Sequence, residues 1–131
     1  HSFPTRRSSD LDTTVLDDVS NQATAFSRIK EGMRACVTRD QGTCHSYWST
    51  KSYTTWAKTG TAEIYDYPDT ENDYPNHLQI GYIAADESSE PVLVFACLAF
   101  RQTYASNGGS SSAPLVSSQV VDKYVEKYGV N

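Results

Sequence analysis

Nine consecutive apolar residues, Val92-Leu93-Val94-Phe95-Ala96-Cys97-Leu98-Ala99-Phe100, constrain this chain more than any other feature. The run is too short to cross a bilayer, which takes about 20 residues as a helix. It follows a turn around Asp86 to Pro91 and reads as a strand that is apolar on both faces. Leu78, Ile80 and Tyr82 alternate just before that turn, the period-two mark of a second strand. Strand, tight connection and strand predict an antiparallel hairpin, with the apolar run as the central strand because both its faces need cover. A third strand begins after Lys51 with Tyr53, Thr54, Thr55 and Trp56 and runs to about Tyr65. Pro68, Asp69, Asn72, Asp73 and Pro75 then mark a long connection.

Two segments carry helical periodicity. Ala25, Ile29, Met33 and Val37 recur at intervals of four, with Phe26 beside them, and predict a helix over 22–38. Val116, Val120, Val121, Tyr124, Val125 and Tyr128 form a stripe on a closing helix from about Ala113 to Tyr128. Gly108-Gly109-Ser110-Ser111-Ser112 suits its entry, Pro114 its first turn and Gly129 its end. Helix, three strands and helix predict an α+β fold, an antiparallel sheet flanked by helices. At 131 residues the chain can build one core but not two.

Residues 1–11, His1 to Leu11, are polar and aperiodic and resemble a translated sequencing adapter. They are set aside as a non-native or disordered leader, leaving 12–131 as the unit to fold. Nothing near the start resembles the apolar stretch of a signal peptide, so an export or anchoring element of a longer parent is expected outside this chain. The formal charge of -5 and scattered Lys and Arg leave no basic stripe for a phosphate backbone, which argues against a nucleic-acid partner.

Three cysteines, Cys36, Cys44 and Cys97, are spaced like no zinc site or redox pair. Cys97 reads as a buried small hydrophobe inside the apolar run. Cys36 and Cys44 can be bridged only if the intervening loop folds back on itself.

The segment Lys58-Thr59-Gly60-Thr61-Ala62-Glu63 falls on the first predicted strand. Thr59 and Thr61 share one side, while Lys58 and Gly60 share the other with Trp56, Ala62 and Ile64. A lysine on an apolar face either covers that surface with its stem or serves a site that needs its charge. A glycine within a strand either weakens it or lets another backbone come close. The Lys-Thr-Gly triplet alone arises by chance in roughly a few per cent of chains this long, so its surroundings must decide.

Those surroundings are informative. Gly32-Met33, Gly42-Thr43, Ala57 through Glu63, His77 through Gly81-Tyr82, the apolar strand, Gly108-Gly109 and Ala113-Pro114 together resemble the end of the penicillin-binding protein transpeptidase domain, whose fold is shared with serine β-lactamases. The likeness covers about Asp12 to Tyr128 and leans towards the monofunctional class. Ala57 departs from the glycine the family commonly has there, without removing a functional group.

The resemblance implies a parent peptidoglycan D,D-transpeptidase that acts through an acyl-serine intermediate outside the cytoplasmic membrane, membrane-anchored and working with other cell-wall synthesis proteins. The D-alanyl-D-alanine end of a stem peptide, or a β-lactam in its place, would add as a strand along Lys58 to Thr61. Lys58 and Thr61 are implied as catalytic: Lys58 through its charge, Thr61 through a backbone N–H in the oxyanion hole. Lys58, Thr59, Gly60 and Thr61 are implied as substrate-binding, with the two hydroxyls on the substrate carboxylate. The resemblance implies neither a cofactor nor a metal. The nucleophile is expected in a Ser-x-x-Lys element upstream of this chain, leaving the chain inactive by itself.

Rival assignments are a serine β-lactamase or β-lactam sensor, and a catalytically dead binding or structural homologue. Ser27-Arg28-Ile29-Lys30 matches Ser-x-x-Lys, but it lies too close to Lys58, with no Ser-x-Asn element between, and reads as a helical surface pair. Asp69, Glu71 and Asp73 alternate like the start of a calcium loop, but Tyr74 stands where glycine is needed. Cys44-His45 lacks a second ligand pair, and His77 lacks a nucleophile elbow. Gly108-Gly109 reads as a turn and cap without a bound anion.

Overall fold

The computed structural model describes residues 20–62, 75–100 and 112–130. A short 3-10 turn, Ser20–Gln22, leads into α1, Ala23–Thr38, and a four-residue helix α2, His45–Trp48, follows. Strands β1, Thr54–Ala62, β2, Asn76–Ala84, and β3, Leu93–Ala99, precede the last helix, α3, Ser112–Tyr128. The α+β expectation holds, as does the order of its helices and strands. The leader at 1–11, the calcium-like alternation at 69–73 and the Gly108-Gly109 turn lie outside the described residues.

The strands form one antiparallel sheet in the order β1-β2-β3. Lys58 faces Ile80 and Thr59 faces Gln79 across the first pair; Gln79 faces Cys97 across the second. This places Trp56, Lys58, Ile80, Tyr82 and Val94 on one face, and Thr55, Ala57, Thr59, Gln79, Ile83 and Phe95 on the other. The second face builds the core, where Val37, Cys44, Trp48, Tyr53, Ala57, Ile83 and Val121 cluster. Trp48 stacks on Phe95 at 5.1 Å and 18° between ring planes, an offset arrangement that aromatic pairs favour.

The apolar run is not the middle of the described sheet. β2 is central and β3 lies at the edge, with Val94 75% and Leu98 58% exposed. Its alternation of half-buried and exposed residues shows that an apolar sequence on both faces records what a strand can bury, not which neighbours flank it. Cys97, expected to be buried, is only half-buried there.

Both helices bury less of their predicted stripes than their periodicity suggests. In α1 only Val37 is buried and Ile29 remains 57% exposed, because the helix meets the sheet with its C-terminal half. Arg34 anchors that half: its guanidinium donates to the Thr55 carbonyl at 3.3 Å and pairs with Glu87 at 2.9 Å. In α3 the buried face is Ala113, Pro114, Ser117, Ser118 and Val121, while Val116 and Val120 are exposed. Small residues let the helix lie close on the sheet. Their hydroxyls are satisfied within the helix, Ser118 donating to the Leu115 carbonyl at 2.9 Å. Gly129 closes α3 with a positive φ of 76° and donates its N–H to the Val125 carbonyl, as its position predicts.

Candidate active site

The candidate site residues sit on β1 where it leaves the core. Trp56 and Ala57 are buried, Lys58, Gly60 and Thr61 are exposed, and Thr59 is half-buried. β1 has a single strand neighbour, β2, among the described residues. Lys58 and Gly60 lie on the Trp56 face and Thr59 and Thr61 on the other, as expected; Ile64 is outside the described residues.

Lys58 projects outward, and its ammonium donates to the Thr59 carbonyl at 2.6 Å. It lines an open cleft of about 320 Å³ with Gly32, Ala35, Cys36, Arg39, Gln41 and Gly42. The far side of that cleft is the loop that reverses the chain after α1. This loop turns tightly because residue 42 has no side chain: a Cβ there would stand 2.1 Å from the Cys36 carbonyl oxygen. Gly42 N–H donates to the Arg39 carbonyl at 2.7 Å, and Cys44 N–H donates to the Cys36 carbonyl at 3.2 Å.

A chain of polar contacts passes from this loop to Thr59. The Thr43 hydroxyl lies 2.7 Å from the Thr59 hydroxyl and 3.2 Å from the Cys36 sulfur, which lies 3.2 Å from the Cys44 sulfur. Gln79, fully buried and opposite Thr59, donates its amide to the Cys44 sulfur at 3.4 Å and accepts from the Ser117 hydroxyl of α3. Sequence reasoning missed Cys36, Cys44, Gln79 and Ser117 as neighbours of the motif. Thr43 alone is singled out by the sequence, as half of the Gly42-Thr43 pair. Cys36, Cys44, Gln79 and Ser117 come from α1, the loop, β2 and α3, and no sequence spacing joins them.

The two thiols differ electrostatically. Burial acts to raise the Cys36 thiol, but contacts of its sulfur with Thr43 and Cys44, together with the Lys58 charge, outweigh burial and leave it below the ordinary thiol range. Burial, reinforced by the Cys36 contact, pushes Cys44 up to about 12.

Ser27 occupies a different place. It is exposed on α1, its hydroxyl 3.5 Å from Glu31, in a cleft of about 380 Å³ that includes Lys30, Arg34, Trp56 and Glu87 but not Lys58. Lys30 and Arg34 lie over the Trp56 ring at 5.2 and 5.7 Å, and Trp56 stacks on Tyr82 at 4.7 Å, so the Ser27–Lys30 pair belongs to a cation-aromatic surface. His45 faces Asp40 at 3.8 Å. Among the described residues no three His, Cys, Asp or Glu side chains gather as metal ligands would. Nor is any described helix long and apolar enough to cross a membrane.

The described residues thus form a three-stranded antiparallel sheet with helices, and Lys58-Thr59-Gly60 lies on the strand at one end of its order. The penicillin binding protein transpeptidase domain family matches residues 3–121, and the chain belongs to that family. Among solved structures it is similar to the crystal structure of Pseudomonas aeruginosa PBP2 in complex with WCK 5153, at 23% identity and a TM-score of 0.55. That match covers 90% of this chain and 22% of the other, so the fold is shared over a small part of that protein. None of the curated proteins gives a significant match.

Proposed function

We propose that this chain forms one wall of the active site of a peptidoglycan D,D-transpeptidase, binding the substrate strand along β1. The observation that carries this reading is the exposure of Lys58, Gly60 and Thr61 on an edge strand with no second strand neighbour among the described residues. An extended stem peptide ending in D-alanyl-D-alanine, or a β-lactam, would pair with that edge through main-chain hydrogen bonds. Lys58 would supply positive charge, Thr59 and Thr61 would meet the substrate carboxylate, and the Thr61 N–H would face the developing oxyanion. Gly60 would let the substrate backbone approach. The parent would act outside the cytoplasmic membrane, with the attacking serine supplied from outside these residues and the acyl group passed to a neighbouring stem's amine.

The test uses the longer protein containing this chain and a fluorescent penicillin. Lys58→Ala should lower the rate of covalent labelling by ~100-fold or more, and Ser27→Ala should leave it unchanged. The 131-residue chain alone should not label. Undiminished labelling of Lys58→Ala would sink the assignment of Lys58, and loss of labelling in Ser27→Ala would make that serine the nucleophile. Rapid hydrolysis of the bound penicillin would assign a β-lactamase instead.

A further inference from the structure

The loop after α1 brings together two thiols that sequence spacing left apart. The Cys36 and Cys44 sulfurs are 3.2 Å from one another, and their backbones are already joined by the Cys44 N–H to Cys36 carbonyl hydrogen bond. A disulfide needs its sulfurs at about 2.05 Å, so closure asks the two sulfurs to approach by roughly 1 Å. Gly42 makes this proximity possible, because any side chain there would push the loop off the Cys36 backbone.

We propose that Cys36 and Cys44 are a redox-modification site that closes to an intramolecular disulfide by thiol–disulfide exchange with a small-molecule or protein disulfide. The proposal is independent of the transpeptidase reading, since it concerns only these two thiols and their loop.

The two cysteines divide the work. Cys36 is half-buried, lines the open cleft beside Lys58 and is reachable by an incoming disulfide, whereas Cys44 is fully buried. The Cys36 thiolate attacks one sulfur of the oxidant; that S–S bond breaks, a Cys36 mixed disulfide forms and one thiolate leaves. Cys44 gives its proton to that leaving thiolate or to water, then attacks the Cys36 sulfur and expels the second thiolate. Two protein thiols lose two electrons and two protons, and the oxidant is reduced to two thiols. The lowered Cys36 thiol and raised Cys44 thiol agree with these roles.

The test exposes the 131-residue chain to oxidised glutathione, quenches with acid, alkylates the remaining thiols under denaturing conditions and maps the peptides by mass spectrometry. The expected result is joint loss of the Cys36 and Cys44 thiols, one peptide pair linked through them and Cys97 alkylated. In Cys44→Ser, glutathione should stay on Cys36. In Cys36→Ser, Cys44 should react at least ~10-fold more slowly than Cys36 does in the native protein. A wild-type chain that keeps glutathione on Cys36 without bridging, that bridges to Cys97, or whose Cys36 and Cys44 thiols both survive would overturn the proposal. The wild-type result decides it even if a serine variant fails to fold.

Discussion

Replacing Gly42 with alanine tests whether the reversal after α1 depends on the missing side chain. The new Cβ would stand 2.1 Å from the Cys36 carbonyl oxygen, 2.7 Å from its carbon and 2.9 Å from the Arg39 carbonyl oxygen. All three are rigid backbone atoms, and carbon–oxygen contact normally needs more than ~3 Å, so the loop must retreat by about 1 Å. That retreat stretches the 3.2 Å Cys44 N–H to Cys36 bond beyond hydrogen-bonding range and draws Thr43 away from Thr59. Overpacking costs about 1–3 kcal/mol, and a lost hydrogen bond adds about 1 kcal/mol. The total of ~2–4 kcal/mol corresponds to a Tm lower by about 7–15 °C for a chain of this size. Thermal unfolding followed by the fluorescence of Trp48 and Trp56, both buried, reports it. A Gly42→Ala chain melting within ~2 °C of wild type would refute the steric argument.

Three further outcomes follow from buried and partly buried polar contacts. Asp122 holds α3 to the start of β1 by pairing with Lys51 at 2.5 Å and accepting from the Tyr53 hydroxyl at 2.8 Å. Asp122→Ala should therefore cost ~1–3 kcal/mol by urea titration, and a cost below ~0.5 kcal/mol would show the contacts to be idle. Burial, and then Asp122, raise the Tyr53 hydroxyl above its ordinary 10.0. The unfolded chain thus loses this proton first, and the tyrosine's contribution, intact below pH 10, declines as pH climbs from there towards the raised folded value. Tyr53→Phe should flatten the alkaline fall in stability between pH 10 and 11, and an unchanged slope would contradict the shift. Gln79→Leu should cost ~1–2 kcal/mol by urea titration, because it strips the buried Cys44 sulfur of its amide donor, while the Ser117 hydroxyl keeps the Ala113 carbonyl. A neutral result would place the network outside the stabilising interactions.

How much of this was legible depended on whether the signal was local. α1, the three strands and α3 were visible because period and turn chemistry are written along the chain, and the faces of Lys58 and Thr59 followed from alternation alone. The position of the apolar strand was not, because Val94 and Leu98 say only that β3 tolerates burial, while strand order is decided by pairing between distant segments. The buried stripe of α3 was misplaced for a different reason: Ser117 and Ser118 count as polar in a periodicity, yet their hydroxyls bond within the helix and they pack as small residues. The contact between Cys36 and Cys44 needed the backbone path around Gly42, which no spacing rule contains.

The hydroxyl contacts between Cys36 and Thr59 also set a polarity. A hydroxyl carries one proton, so each member of such a relay can donate only once. When Cys36 is a thiolate its sulfur can only accept. Thr43 must then spend its proton on that sulfur, and Thr59 must spend its own on Thr43. Thr59 is left with lone pairs alone to offer outward. When Cys36 is neutral that ordering is released, and the Thr59 proton can turn away from the loop. Whether β1 presents a donor or an acceptor at residue 59 is thus decided by a charge two contacts away, on a residue of α1 that Thr59 reaches only through Thr43.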